Sequence, residues 1–281
     1  MLAVALGLSS SLCWGLADFV GGLQSRRMQV LAVLLVSQAA GLIAIVVGLV
    51  IAQPAAPSLV DLWPAVAAGL AGAVALGAFY RALATGTMSI VAPISATGAA
   101  LPVIVGIATG DRPSALQVVG ILAAVIGVVL ASRELDQDRP QAAAPPRTSI
   151  ALALVAAVGF GTFFIGMDAA ADTSVPWTML AARGASVVAV ALTVAVARTP
   201  LPRAPRRLGA LAVVGLLDVG ANGLFAWGST KGLLSVVAVL GALYPVSTVL
   251  LARVVLDERV RRIQEVGIVA ALAGVALIAA G

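Results

Sequence analysis

The 281-residue chain is 61% hydrophobic and only 10% charged, whereas a soluble domain carries roughly 25% charged residues. This composition excludes a soluble globular protein and predicts a polytopic membrane protein. The chain has no histidine and a single cysteine, Cys13, which excludes histidine metal sites, thiolate clusters and internal disulfides. The net charge of +5 comes from arginines beside apolar segments, where they orient helices in the bilayer rather than bind nucleic acid.

Apolar runs bounded by proline, glycine and charge predict ten membrane spans, each close to the roughly 20 residues that cross a bilayer. Numbered in chain order, the spans cover 2–23, 29–52, 63–84, 88–109, 114–132, 149–170, 176–197, 208–230, 234–256 and 263–280. A polar, proline-rich stretch at 133–148 predicts a linker between two five-helix halves, 1–132 and 149–281. No segment is left for a separate soluble domain.

The two halves repeat one another. A shift of 146 residues aligns Trp14-Gly15 with Phe160-Gly161 and Gly69 with Gly215. A shift of 147 aligns the charged loop Asp111-Arg112 with Glu258-Arg259. Because each half has an odd number of spans, the second half is expected to be inverted in the bilayer. Inverted repeats with a site between them are typical of secondary transporters.

Span three carries Tyr80 and leads into SIVAPISATGAALPVIVG and then GDRPSALQVVGILAAVIGVVLAS, and the second half repeats this order as SVVAVLGALYPVSTVLLARVVLDERVRRIQEVGIVAALAGVALIAA. The chain thereby resembles the drug/metabolite transporter superfamily, in its ten-helix form built from two EamA domains, over essentially its whole length. The resemblance implies an all-α fold with a central cavity lined by spans one, three, four, six, eight and nine. Span nine has Pro245 where span four has Pro93 and Pro102, so the two helix breaks are expected at different depths.

Arginine and lysine are shared unequally between the two sides of the predicted bundle. The loops after spans one, five, seven and nine carry Arg26, Arg27, Arg133, Arg139, Arg147, Arg198, Arg203, Arg206, Arg207, Arg259, Arg261 and Arg262. The opposite side, which bears both termini, carries Arg112 and Lys231. The positive-inside rule therefore predicts a cytoplasmic-membrane protein with both termini outside, whereas the resemblance implies termini inside.

Four charged residues fall well within the spans: Asp18, Arg81, Arg183 and Asp218. A charge at the bilayer centre costs at least about 2.5–3.5 kcal/mol, so each needs a partner, a cavity or a route to the headgroups. Their depths at 1.5 Å per residue predict two ion pairs, Asp18 with Arg81 and Arg183 with Asp218. Snorkelling of Arg81 and proton coupling through Asp18 or Asp218 are alternatives. Two acids and two bases favour a neutral or zwitterionic substrate.

Aromatic and polar residues in the spans that the resemblance assigns to the cavity are the substrate-binding candidates. They are Trp14, Asp18, Tyr80, Ser95, Thr97, Phe160, Asp218, Asn222, Trp227 and Tyr244. The alternative for the aromatic residues is helix packing, and for the hydroxyls a hydrogen bond to their own backbone. Small-residue faces in spans five and ten, around Gly120 and Gly274, predict that these two spans pack together.

These features predict a secondary transporter of a small metabolite or drug-like molecule that works by alternating access. Family analogy favours export, and protons are the candidate coupling ion. The expected partners are the lipid bilayer and the substrate, with the chain a monomer or weak homodimer. No cofactor, metal or nucleic acid is expected, and an enzyme is disfavoured because histidine is absent and intramembrane acids are few. A lipid flippase or membrane sensor is the alternative.

Overall fold

A computed structural model of the chain describes residues 1–85, 88–131, 147–247, 251 and 262–281. All regular elements in these ranges are helices. They are α1 Leu2–Ser25, α2 Val30–Ala52, α3 Trp63–Thr85, α4 Met88–Ala96, α5 Ala100–Thr109, α6 Ala115–Ala131, α7 Arg147–Ala171, α8 Val175–Ala197, α9 Pro205–Ser229, α10 Leu234–Gly241 and α11 Arg262–Ala280, with 3₁₀ turns at Leu59–Leu62 and Thr97–Ala99. Of the predicted linker, 133–146 lies outside the described residues, and Arg147 already belongs to α7.

Six helical segments in the described part of the chain are long and apolar enough to cross a membrane by themselves. They are α1, α2, α3 with the turn that precedes it, α7, α8 and α9. The other apolar helices of the described residues are shorter, and those of spans four and nine are interrupted within the bundle. An all-helical membrane protein of two five-span halves, as the sequence predicts, is confirmed.

Local sequence sets several of the helix ends. Proline lies in the first turn of α8 and α9, where its missing N–H costs no hydrogen bond. Ahead of α6, Ser114 and Gln117 form a capping box: the Ser114 N–H donates to Gln117 Oε1 at 2.9 Å, and the Gln117 N–H donates to Ser114 Oγ at 3.2 Å. Gly110 ends α5 with φ +123°, a conformation that favours glycine. These features begin and end the spans close to their predicted limits.

The packing of the helices has an internal two-fold pattern. Helix α1 packs along α9. The corresponding helices of the repeat, α7 for α1 and α3 for α9, also pack along each other. Likewise α4 contacts α7, while α10 contacts α1. Helices α2 and α8 pair with each other, and both end on a left-handed residue, Gln53 and Arg198. The sequence repeat is therefore also a repeat of tertiary contacts, and each half builds its core on helices of the other.

Glycines allow the equivalent close contacts in both halves. A Cβ atom on Gly15 would lie 3.0 Å from the carbonyl oxygen of Tyr244, and one on Gly161 would lie 2.6 Å from that of Gly98. Both pairs are related by the shift of 146 residues that aligns the halves. A larger side chain at either glycine would push the first helix of one half away from the broken span of the other.

The breaks in spans four and nine fall at equivalent places. Helix α4 has 9 residues and begins at Met88, and α10 has 8 residues and begins at Leu234, the position aligned with Met88. The chain then turns at Thr97–Ala99 in one half and directly after Gly241 in the other. The expectation that the two breaks lie at different depths was wrong. Each break lies beside a residue whose carbonyl oxygen contacts a glycine of the other half, Gly98 in span four and Tyr244 in span nine. The breaks therefore follow these contacts rather than the positions of the prolines.

Helices α6 and α11 form a separate pair through their small residues. A Cβ on Gly274 would lie 2.6 Å from the Gly120 carbonyl oxygen, and one on Gly127 would lie 2.7 Å from that of Gly267. Only glycine permits backbones to approach this closely in a membrane. The predicted packing of spans five and ten is confirmed, and it leaves the other spans to enclose the centre.

Candidate functional site

A cavity of about 70 Å³ lies at the centre of the helices, between the two halves. Its walls are formed by Trp14, Asp18, Gln38, Ile45, Gly69, Gly72, Leu76, Phe160, Phe163, Phe164, Met167, Met179, Ala182, Arg183, Ser186, Asp218, Asn222 and Tyr244. One ordered water needs roughly 10–15 Å³ of such space. The cavity therefore has room for several waters or for part of a small ligand, and its charged side chains are not embedded in hydrocarbon.

An ion pair crosses the cavity from α8 to α9. Arg183 Nη2 donates to Asp218 Oδ2 at 2.5 Å, and the two side chains are 7% and 18% exposed. The other terminal nitrogen of Arg183, Nη1, donates to Gln38 Oε1 on α2 at 2.6 Å. Each charge of the pair thus has its counter-charge and a polar neighbour, which is the condition for keeping charge inside a membrane.

Further hydrogen bonds connect this pair to the first half of the chain. The indole N–H of Trp14 on α1 is shared between Asp218 Oδ1 and Asn222 Oδ1, at 3.2 Å each. Ser186 donates its hydroxyl to Gln38 Oε1 at 2.8 Å. Both carboxylate oxygens of Asp218 are therefore occupied. The resulting network joins α1 and α2 of the first half to α8 and α9 of the second.

Asp18 faces the same cavity but has a different environment. Its side chain is buried, with 9% of the residue exposed, and a side-chain hydrogen bond links it to Tyr80 on α3. Among the residues that the structure describes, no lysine or arginine nitrogen comes within the 4.0 Å of an ion pair with it. Asp18 is thus a buried carboxyl group without a cationic neighbour in the described part of the chain.

A second wall of the cavity is apolar and aromatic. Phe160, Phe163 and Phe164 project from α7, and Phe164 stacks on Phe225 with ring centroids 4.6 Å apart. Trp14 connects the two walls, because its ring lies 5.4 Å from that of Phe164. A cavity with one polar and one aromatic wall suits a ligand that is itself polar at one end.

The two walls occupy equivalent positions of the repeat. The shift of 146 residues aligns Asp18 with Phe164 and Gly72 with Asp218, and all four line the cavity. The fold is thus close to symmetric around the cavity, whereas its chemistry is not. Duplication explains the shape of the site, and divergence between the halves gives it polarity.

The comparisons with known proteins agree with this architecture. A family model described as "EamA-like transporter family" matches residues 1–133 and 147–280. The chain belongs to the EamA-like transporter family. A solved structure titled "Crystal structure of protein" is similar to it, with 17% identity, a TM-score of 0.75, and coverage of 98% of this chain and 95% of that chain. That likeness supports the EamA fold. The comparison with curated proteins found no match.

As an EamA-like transporter, the chain is an integral multi-pass membrane protein of a family of transporters rather than enzymes. In the described ranges, no group of three or more histidine, cysteine, aspartate or glutamate side chains is arranged to hold a metal ion. The resemblance deduced from the sequence is confirmed by the family match, which covers both halves.

Six of the ten binding candidates line the EamA cavity: Trp14, Asp18, Phe160, Asp218, Asn222 and Tyr244. Tyr80 lies behind this surface, fully buried and in contact with Asp18. These seven residues are brought together from five different spans, and together they form the candidate site.

The other three candidates are not among the residues that line this cavity. Ser95 donates to the Ala153 carbonyl oxygen at 3.5 Å and serves helix contact. Thr97 donates to its own backbone, at Ile94 O, and borders a second cavity. Trp227 is 47% exposed on the outside of α9, because five residues beyond Asn222 correspond to about 140° around a helix of 3.6 residues per turn.

The predicted ion pair between Asp18 and Arg81 was wrong. Arg81 is exposed on the surface of α3, one residue beyond Tyr80, which faces inward. Neighbouring residues of an α-helix point about 100° apart, and on α3 Tyr80 has the inward direction and Arg81 the outward one. Among the described residues, the cavity lining therefore has two acids and one base rather than a balanced set.

Two polar residues of the site were missed, Gln38 and Ser186. Gln38 lies in the middle of the very apolar stretch VLLVSQAAGLIAIVV, and a carboxamide at that depth requires partners for the same reason as a charge. Gln38 carries no charge, so the charged residues within the spans did not indicate it. Ser186 has no comparable signal, because membrane helices use serine freely against their own backbone.

Proposed function

We propose that this EamA family member is a secondary active transporter that exports a small metabolite or drug-like molecule across the cytoplasmic membrane by alternating access. The observation that carries the proposal is the polar network between the halves, in which Trp14 and Gln38 of the first contact Asp218 and Arg183 of the second. A ligand that rearranges these bonds changes the relative stability of two arrangements of the repeats.

The cavity lies closer to the side of the termini. Met167 and Met179 are four residues from the ends of α7 and α8 on that side, about 6 Å in depth. Asp18 is seven residues from the arginine-rich end of α1, about 10 Å. With the termini outside, as the loop charges predict, this arrangement corresponds to an outward-facing or nearly outward-facing exporter, the state in which substrate is released.

We assign the coupling ion as the proton and Asp18 as its carrier. Asp218 is paired with Arg183 and accepts a hydrogen bond from Trp14, so both of its oxygens are already engaged. Asp18 has no such cation in the described part of the chain, and a buried carboxyl group without one is costly to keep charged. Uptake and release of a proton at Asp18 would therefore differ between the two arrangements of the repeats.

Reconstitution tests this function. Purified protein in liposomes is offered a panel of amino acids, amines, nucleosides, sugars and organic acids under imposed pH gradients of both directions. We expect flux of a subset of the panel above that of protein-free liposomes, driven by the pH gradient, with the gradient dependence lost in Asp18→Asn and kept in Asp61→Asn, an exposed acid. Flux that ignores the pH gradient in the unmodified protein would exclude proton coupling.

The alternative of a lipid flippase requires a lateral opening that admits a headgroup. The second cavity, about 310 Å³ between α5, α6 and α10, is lined by Thr97 and otherwise by apolar residues. Without a charged group it suits acyl chains and not a headgroup. Movement of fluorescent phospholipids in the same liposomes, with no flux of any panel member, would favour the flippase.

A further inference from the structure

We propose that the substrate is an amphipathic organic cation, with an ammonium group that binds Asp18 and an aromatic or aliphatic body that packs against Phe160, Phe163 and Phe164. This inference rests on the proposed transport function and specifies its substrate class. It replaces the expectation of a neutral or zwitterionic substrate, which depended on Arg81 lying in the interior.

The charges of the cavity favour a positive ligand. Its lining contains two carboxyl groups, Asp18 and Asp218, and one guanidinium, Arg183. Arg183 and Asp218 compensate each other directly, which leaves the charge of Asp18 without a counter-charge among the described residues. A buried charge in a membrane protein is stabilised by a partner of opposite sign, and an ammonium group supplies that partner.

The existing hydrogen bonds also show which carboxylate is available. Asp218 accepts from Trp14 at one oxygen and from Arg183 at the other, whereas Asp18 has a side-chain hydrogen bond with Tyr80. The tyrosine hydroxyl occupies one acceptor direction of the carboxylate and leaves others for an N–H donor. Asp18 is therefore the carboxylate at which a ligand gains a charge-assisted hydrogen bond without breaking one.

An anionic substrate fits this arrangement poorly. Its only counter-charge in the lining is Arg183, whose terminal nitrogens already donate to Gln38 and Asp218. An anion bound to Arg183 would displace Asp218 from it. Asp218 and Asp18 would then both be carboxylates without a cationic partner in the cavity lining. Removing one partner of a buried pair is strongly unfavourable, so a carboxylate ligand would bind against a penalty that an ammonium ligand avoids.

The aromatic wall explains why the cation should be amphipathic. Phe164 aligns with Asp18 across the repeat, and both line the cavity, so a ligand that reaches from one to the other is polar at one end only. Aromatic rings attract cations at their faces as well as packing against apolar groups. A small inorganic cation would leave this wall unused, and a doubly charged amine would bring its second charge to it.

A binding experiment with three matched probes tests the inference. 2-Phenylethylammonium, 2-phenylethanol and phenylacetate share the aromatic ring and differ in charge. Each is titrated into the detergent-purified full chain by calorimetry, at one pH near neutrality and one ionic strength. We expect the ammonium probe to bind at least tenfold more tightly than the alcohol, and phenylacetate to bind most weakly.

Variants then locate the charge. Asp18→Asn should weaken binding of 2-phenylethylammonium at least tenfold, which corresponds to about 1.4 kcal/mol, and leave binding of 2-phenylethanol unchanged. Asp18→Glu should retain the preference for the cation. The matched control is Asp61→Asn, which makes the same chemical change at an exposed acid outside the cavity. Circular dichroism and gel filtration verify that each variant is folded.

The inference is overturned if the three probes bind equally, if none binds, or if phenylacetate binds most tightly. Because this comparison uses the unmodified protein, it remains decisive even when Asp18→Asn does not fold. Flux measurements separate the two proposals. Transport of neutral or anionic panel members without a cation preference refutes the substrate class and leaves the transporter intact. Selective binding of the cation without flux of any solute supports the site and refutes the transport function.

Discussion

Replacing Asp218 by asparagine should reveal how much the buried ion pair contributes to stability. Asparagine has nearly the same size and still offers an oxygen to the Trp14 N–H, but it leaves the charge of Arg183 uncompensated. Breaking a buried pair by removing one partner costs about 3–5 kcal/mol. The Asp218 side chain is 18% exposed in a cavity that admits water, so we expect the lower end of this range, about 3 kcal/mol.

The assay is unfolding of the purified protein in mixed micelles, with dodecyl maltoside progressively replaced by sodium dodecyl sulfate and helicity followed by circular dichroism. A second substitution provides the sharper test: Arg183→Met in the Asp218→Asn background removes the stranded charge. The double variant should therefore be more stable than Asp218→Asn alone, by about 1–3 kcal/mol. Asp61→Asn, at an exposed position, should change stability by less than about 0.5 kcal/mol.

Two results would refute this reasoning. If Asp218→Asn unfolds like the unmodified protein, the guanidinium is hydrated well enough to need no carboxylate. If the destabilisation by Arg183→Met simply adds to that by Asp218→Asn, the two side chains are not energetically coupled, whatever their 2.5 Å separation. In either case the network would not be the element that fixes the two halves relative to each other.

Three further predictions concern packing, hydrogen bonding and orientation. Gly274→Ala should destabilise the protein by about 1–3 kcal/mol in the same unfolding assay, because its Cβ would lie 2.6 Å from the Gly120 oxygen, whereas Gly184→Ala, with no atom within 4 Å, should be neutral or stabilising. Equal effects would contradict the close helix contact. Trp14→Phe should cost about 1 kcal/mol through loss of its hydrogen bond, and Trp227→Phe, on the outer surface, should cost nothing measurable. A C-terminal alkaline phosphatase fusion should be active and a green fluorescent protein fusion dark if the termini are outside; the reverse result would establish the family orientation.

Much of the fold could be predicted from the sequence because a bilayer imposes strict local rules. Each crossing needs an apolar stretch of fixed length with its backbone bonds closed internally, so ten such stretches and a break at a polar linker determine the class. The glycine pattern could also be interpreted without coordinates. Gly120 and Gly274 indicated that spans five and ten pack closely, since small residues at helical spacing have that use in membranes.

The site was only partly predictable, and the failures share a cause. Depth along a span follows from residue counting, and it correctly brought Arg183 and Asp218 to one level. The direction in which a side chain points around its helix does not follow from depth. Arg81 is at a suitable depth for Asp18 but points outward, and Trp227 lies on an assigned span but on its far face.

The sequence by itself determined that this chain is a duplicated, inverted ten-span membrane protein of the EamA family, because apolar length, loop charge and repeat spacing are properties of the chain read in order. Only the tertiary structure decided the charge of the cavity. That charge depends on which of the four charged side chains predicted within the spans face the cavity. The rotation and packing of the helices place Arg81 on the outside and Asp18, Arg183 and Asp218 in the cavity lining. The excess carboxylate that results is the feature on which the inferred substrate class rests.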